Sequence, residues 1–197
     1  MRPTRMLPLL PCLGLLCGAA LAQVPRHESH DLDAARSQAG FTVKLLWLIG
    51  LRGDFGAVRG TLDIDRFHGT ARVDARIDVD DLHMRSANYE AWAKSAEFFD
   101  ASRYPQIHFV SEDIPLVRLG RGGALDGLLT LRGIDKPVRF RILPAQCAQP
   151  LTGACAVQAE GSIERNDFGM HSRRGTLADK VALRMRIFVL PAAGPLE

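Results

Sequence analysis

ARVDARIDVD, residues 71–80, decides the fold class. Ala71, Val73, Ala75, Ile77 and Val79 alternate with Arg72, Asp74, Arg76, Asp78 and Asp80, so one face is apolar and the other fully charged. Successive side chains of a strand point to opposite faces, so this segment is a strand that is dry on one side and wet on the other. Further along, SAEFFDASRYPQIHFVS, residues 95–111, gathers Phe98, Phe99, Tyr104, Ile107 and Phe109. A half-wet wall followed by an aromatic block points to a closed apolar interior rather than to a catalytic cleft.

The same alternation recurs in both directions. Phe41, Val43, Leu45 and Trp47 share one strand face, and Val58–Ile64 makes a second strand before the quoted one. Gly50, Gly53 and Gly56 between them mark a bend or bulge. After the aromatic block, Ile107–Ile114 reads as a fourth strand and Ala124–Arg132 as a fifth, with Leu125, Gly127, Leu129 and Leu131 in register. Val138, Phe140 and Ile142 lead a sixth strand after the turn at Gly133–Pro137. Val157, Ala159, Gly161 and Ile163 mark a seventh, and Val181 to Val189 an eighth. Eight strands with short turns predict an all-β antiparallel sheet, closed as a barrel or stacked as a sandwich. Small inward residues, Ala71, Ala75, Gly127, Ala159 and Gly161, favour an eight-stranded barrel with space for one ligand.

One insertion breaks the meander. His83–Phe99 lies between the third and fourth strands, and Tyr89, Trp92, Ala93 and Ala96 recur at helical spacing after Ser86, a potential N-cap. The spacing predicts a short helix over residues 87–95. It lids one end of the barrel, or it plugs the core with Trp92 and Phe98.

The N-terminus reads as a secretory leader over residues 1–22. Arg2 and Arg5 precede an apolar run that ends in Ala20-Leu21-Ala22, a small-residue cleavage pattern. One domain over residues 23–197 is expected after cleavage, in the periplasm or outside the cell. Loss of two arginines lowers the formal charge of +3 by two. Near neutrality, without basic runs, argues against a nucleic-acid partner. Cys147 and Cys155 flank turn residues Pro150 and Gly153, and an exported chain favours a disulfide there over a metal or redox pair.

Several elements together resemble the YceI family. They are Ser37 with Phe41-x-Val43, Gly53-x-Phe55, Gly60-Thr61-Leu62, Phe98-Phe99-Asp100, Tyr104-Pro105, Ile107, Phe109 and Ser111. Gly127-x-Leu129-Thr130, Gly133, Lys136-Pro137-Val138 and Arg165-x-Asp167-Phe168-Gly169-Met170 continue the pattern in order. The resemblance implies a lipocalin-like barrel that holds a polyisoprenoid chain, such as an isoprenoid quinone or similar amphiphile, in an apolar tunnel. Two positions depart from it, because Leu45 and Arg36 stand where the family often carries histidine.

The expected ligand-lining residues are Phe41, Val43, Leu45, Trp47, Val73, Ile77, Phe99, Ile107, Phe109, Leu129, Val138 and Phe140. Arg165, Asp167, His171, Arg173 and Arg174 form a polar cluster between the last two strands, suited to a barrel rim or to pairing of Arg165 with a carboxylate. His27, Glu28, His30 and Asp31 have metal-ligand types without a fixed spacing. No nucleophile elbow, His-Glu-x-x-His or phosphate loop occurs. The expectation is a non-enzymatic lipid carrier without a cofactor, in transient contact with a membrane. A lipid- or quinone-modifying enzyme on the same barrel and a solidly packed interaction module are the alternatives.

Overall fold

The computed structural model describes residues 27–148, 151, 153–173 and 175–191. The leader over residues 1–22 lies outside them, as do Pro150, Arg174 and the tail beyond Pro191.

The first strand segments are β1 (His27–Asp31), β2 (Gln38–Leu45), β3 (Ile49–Phe55), β4 (Arg59–Asp65), β5 (Thr70–Asp78) and β6 (Leu82–Met84). Helix α1 (Ala87–Lys94) and the aromatic loop lead into β7 (Gln106–Ser111), β8 (Ile114–Pro115) and the short α2 (Val117–Arg121). β9 (Gly123–Leu131), β10 (Ile134–Ile142), β11 (Val157–Glu164) and β12 (Leu177–Ile187) complete one antiparallel sheet.

These segments are the eight expected strands, with the first four bent. β1 and β2 run along β4 and β3 from His27↔Asp65 to Leu45↔Ile49. β3 and β4 run in turn along β6 and β5, and β7 and β8 both pair with β5. The bends fall at the turn before Ser37, at Gly56, at a 3-10 turn over Val79–Asp81 and after Ser111. A barrel this narrow needs strongly coiled strands, and such breaks supply the curvature.

The sheet closes on itself where β12 meets the first strand. β12 pairs with β2 along Val181–Arg186, and Leu32↔Val189 bridges the two chains beyond. Asp33 N donates to Phe188 O and Leu190 N to Asp31 O, both at 2.9 Å. Between these rungs the ladder is interrupted by the turn from β1 to β2, and Ser37 fills the gap. Its hydroxyl is fully buried, accepts from Phe188 N at 2.9 Å and donates to Phe188 O at 3.2 Å. The opening serine of the family pattern thus replaces a missing rung of the closure.

Chain direction puts α1, the aromatic loop, the β2–β3 tip and the Arg165–Phe168 turn at one end of the barrel. The β4–β5 turn, α2 and the β10–β11 connection lie at the other. Cys147 and Cys155 are bonded there, with Cα atoms 6.3 Å apart, inside the normal range. Ala145 N donates to Gly120 O, tying that connection to α2.

Two local readings need correction. Ser86 makes no side-chain cap on α1; instead the Glu90 carboxylate accepts from Met84 N at 3.0 Å and braces the entry to the helix from inside. Helix α2 is absent from the sequence reading, because five residues are too short to display a helical period.

Removing the Ser37 hydroxyl leaves the Phe188 amide buried without a partner. Ser37→Ala is expected to destabilise the fold by about 1–3 kcal/mol in chemical denaturation, with an unchanged dependence on denaturant. Reduction of Cys147–Cys155 should lower the melting temperature, because a loop of this size contributes roughly 2–3 kcal/mol in the chain-entropy picture.

Candidate ligand cavity

The barrel encloses an apolar cavity of about 160 Å³. All eight strands contribute to its wall, with Phe55, Leu62, Val73, Ala75, Ile77, Ile107, Phe109, Leu129, Phe140, Ala159, Leu183, Met185 and Ile187 among the lining residues. The lining is elongated. It extends on β9 from Leu125 to Leu131, about 20 Å of strand at ~3.4 Å per residue.

The cavity survives because its aromatic rings lie along the wall rather than across the lumen. Three inward glycines accept them. A Cβ at Gly127 would come within 2.6 Å of the Phe109 ring, and one at Gly161 within 2.4 Å of Phe140 Cδ1. Gly53 stands in the same relation to Phe41, with 2.4 Å to the ring. Phe109 and Phe140 are also ring neighbours, with centroids 5.4 Å apart. The small residues of the inward faces therefore do not leave empty space directly. Gly127 and Gly161 are filled by rings, and the vacated space lies in the middle.

Seven of the twelve expected residues line this cavity: Val73, Ile77, Phe99, Ile107, Phe109, Leu129 and Phe140. Phe41 and Val43 are buried in the core, and Leu45 packs against it, all toward the α1 end. Phe41, Phe55 and Phe99 meet there with ring centroids 5.7–6.2 Å apart and form an aromatic floor. Phe99 is delivered by the insertion, which is therefore a plug and a floor at once. Arg132 holds it down by donating to Ala96 O at 3.0 Å and to Phe98 O. Trp92 packs edge-on over Phe98 at 4.5 Å.

Trp47 is a correction. It is 73% exposed, because β2 ends at Leu45 and the chain turns before Trp47 can face inward. Val138 keeps the inward register of β10 but lies half-buried outside the cavity. It sits where the wall parts: β10 pairs with β9 over Ile134–Ile142, yet with β11 only over Phe140–Ile142. Leu125, Leu131, Leu183, Met185 and Ile187 line the cavity but were not singled out. The alternation of their strands already placed them inside.

The polar cluster after β11 is structural at its centre. Arg165 is buried, at 2% exposure, and donates to Ala178 O at 3.1 Å, Leu177 O at 3.2 Å and Met170 O. These three partners are backbone carbonyls at the entry to β12, so the guanidinium ties the Arg165 turn to the last strand. Asp167 is exposed, His171 meets Asn166 at 3.1 Å, and Arg173 lies over the Trp92 ring. His108 points outward to Asp74 at 3.0 Å. Among the described residues no group of three or more His, Cys, Asp or Glu is placed to hold a metal.

Several surface carboxylates are held in their charged form by their neighbours. The His68 side chain, then its backbone N–H, holds Asp65 down at about 2 on the β4–β5 turn. Arg66 lowers Glu28, and Met84 N with Lys94 lowers Glu90.

A volume of about 160 Å³ is close to that of a dry Leu/Ile/Phe-lined cavity that admits benzene. The length suits a chain, whereas the girth admits a thick guest only if rings such as Phe109 swing off their glycines. Gly127→Ala is expected to drive Phe109 toward the lumen and weaken uptake of a fluorescent lipid analogue. Leu129→Arg should abolish that uptake, while outward Arg76→Gln leaves it unchanged; equal losses from both would contradict the assigned faces.

Comparison with known proteins agrees with this architecture. A YceI-like domain matches residues 30–189. A UPF0312 protein of Pectobacterium atrosepticum is 28% identical over 88% of this chain and 91% of its own. Protein YceI of Salmonella arizonae is 29% identical over 78% of this chain and 81% of its own. Burkholderia cenocepacia BcnA superposes with a TM-score of 0.66 at 23% identity, covering 80% of this chain and 98% of BcnA. A polyisoprenoid binding domain from Saccharophagus degradans superposes with a TM-score of 0.63 at 13% identity, covering 84% and 99% of the two chains. The match over residues 30–189 shows that this chain belongs to the YceI-like family.

Proposed function

We propose that this protein is a periplasmic carrier that holds a long apolar lipid of the isoprenoid class, or a quinone bearing such a chain, inside the barrel. The observation that carries the reading is the apolar cavity, whose wall follows β9 from Leu125 to Leu131 and whose Phe109 and Phe140 rings lie over Gly127 and Gly161. A core built only for stability fills such a space, because interiors pack as densely as organic crystals. The structural likeness to a polyisoprenoid binding domain supports the same ligand class.

The chemistry is one of exclusion. Each methylene moved from water to this wall gains about 0.8 kcal/mol, offset by ordering of the chain and displacement of the rings. Among the described residues the lining side chains are apolar apart from Arg184, so selection is by length and girth. The headgroup is expected at the parting of β10 and β11, where Val138 and Lys136 occupy inward register positions beside an incomplete ladder. Leu45, at a position often histidine in the family, packs against the core below the aromatic floor and offers no polar contact to a headgroup. Loading from a bilayer needs only a transient contact, because the guest is exchanged and the carrier is not inserted.

Native mass spectrometry of protein purified without detergent tests the reading. A bound species of uniform mass, released on organic extraction and lost from Leu129→Arg, is the expected result. Protein that carries no such mass and takes up no lipid analogue would make the barrel an interaction module. Turnover of the extracted lipid would make it an enzyme.

A further inference from the structure

The turn between β2 and β3 contradicts its own sequence. Leu46 and Trp47 adopt φ of 51° and 65°, and Leu48 N donates to Leu45 O at 3.2 Å. This is the positive-φ hairpin turn that Asn-Gly adopts with least strain, yet large apolar residues occupy it. They are not buried in return. Leu46, Trp47, Leu48 and Ile49 are 53%, 73%, 88% and 55% exposed. Four consecutive apolar side chains in solvent, on a strained turn, need a compensating contact outside the chain.

The surroundings specify that contact. Lys44 and Arg52 lie on the outer face of the same hairpin, since Lys44 pairs with Gly50 and Arg52 with Thr42. Next to the tip, a groove of about 500 Å³ runs between the unpaired edge of β3 and the start of α1. Arg52, Arg85, Ser86 and Tyr89 line it. Among the described residues the side chains of Lys44, Arg52 and Arg85 have no hydrogen bond or ion pair. Asp54 lies two residues from Arg52, and Glu90 on α1 is already paired with Lys94 at 3.1 Å. Phe67, the other strongly exposed aromatic, stands at the opposite end between a paired Asp65–His68 and a paired Arg66–Glu28.

We propose that the β2–β3 tip is a membrane-docking element that inserts Trp47 and Leu48 into the interface of a bilayer bearing anionic headgroups. A Trp–aliphatic tip is the composition that partitions to the acyl boundary, and cations beside it match the phosphates above. The groove lined by Arg52 and Arg85 receives a headgroup. The tip lies at the end that carries the plug and the parted β10–β11 wall. The inference deepens the carrier reading by naming the face that meets the membrane. Vesicle binding and cavity filling are measured apart, so either can fail alone.

Sedimentation of the purified protein with vesicles of phosphatidylethanolamine and phosphatidylglycerol is the test. Binding that falls about ten-fold in Leu48→Asp, and several-fold in Arg52→Gln/Arg85→Gln or at high salt, is expected. Trp emission should shift to the blue on binding and be quenched by brominated lipid. Trp47→Phe, which retains only Trp92, should show neither effect. These positions are exposed, so melting temperature and lipid-analogue uptake should match the parent and certify the fold. Absence of vesicle binding, equal binding by Leu48→Asp, or self-association that Leu48→Asp abolishes without any vesicle binding would overturn the proposal.

Discussion

The hollow interior rests on one packing relation: a phenylalanine ring lying over a glycine on the neighbouring strand. Phe140 over Gly161, Phe109 over Gly127 and Phe41 over Gly53 each place a ring where any side chain would collide with it. A ring held this way buries its area against backbone and leaves the axis of the barrel free. Phe109 and Phe140 standing upright would project into the lumen and give an ordinary core. The glycines set the rings, and the rings set the cavity. An eight-stranded barrel has an interior that side chains can just fill, so this arrangement separates a container from a solid.

Closure imposes the second constraint. Curvature is concentrated at the breaks that divide each of the first four strands, and the seam between β12 and the first strand passes through one of them. There Ser37 supplies both a donor and an acceptor to Phe188. A buried unpaired amide costs more than a typical hydrogen bond contributes, so a small hydroxyl residue is the economical solution at this position. The cavity and the seam are linked, because a sheet left open at Leu32 and Val189 would expose the lining to water.

Much of this was legible in the sequence, and the exceptions have physical reasons. The alternation over residues 71–80 gave the correct face for Val73, Ala75 and Ile77, because a strand wet on one side leaves no ambiguity of register. The helix was located to within a residue from Tyr89, Trp92 and Ala93. Trp47 misled because its parity matched Phe41 and Val43, while the turn that reverses the chain contains neither Gly nor Asn to announce itself. Arg165 was expected at the rim or paired with a carboxylate, and it is buried, donating to backbone carbonyls at the entry to β12. Such acceptors carry no sequence signal. Glycine at Gly127 and Gly161 was read as empty space, since sequence does not reveal that a ring from the next strand lies over it.

The two ends of the barrel are fastened in different ways. The far end has a covalent bond at Cys147–Cys155 and a backbone tie from Ala145 to α2. The near end is closed by an insertion whose attachment is a set of backbone turns, the Arg132 contacts and three edge-packed rings. Its neighbouring wall lacks the β10–β11 rungs beyond Phe140. Regions with fewer ladder bonds open at lower free energy than the rest of a fold. A guest wider than the resting lumen would pass most cheaply where the wall has fewest rungs, at the end bearing Phe99, Val138 and the exposed tip. A covalent tie at one end and an incomplete ladder at the other thus give the cylinder a direction.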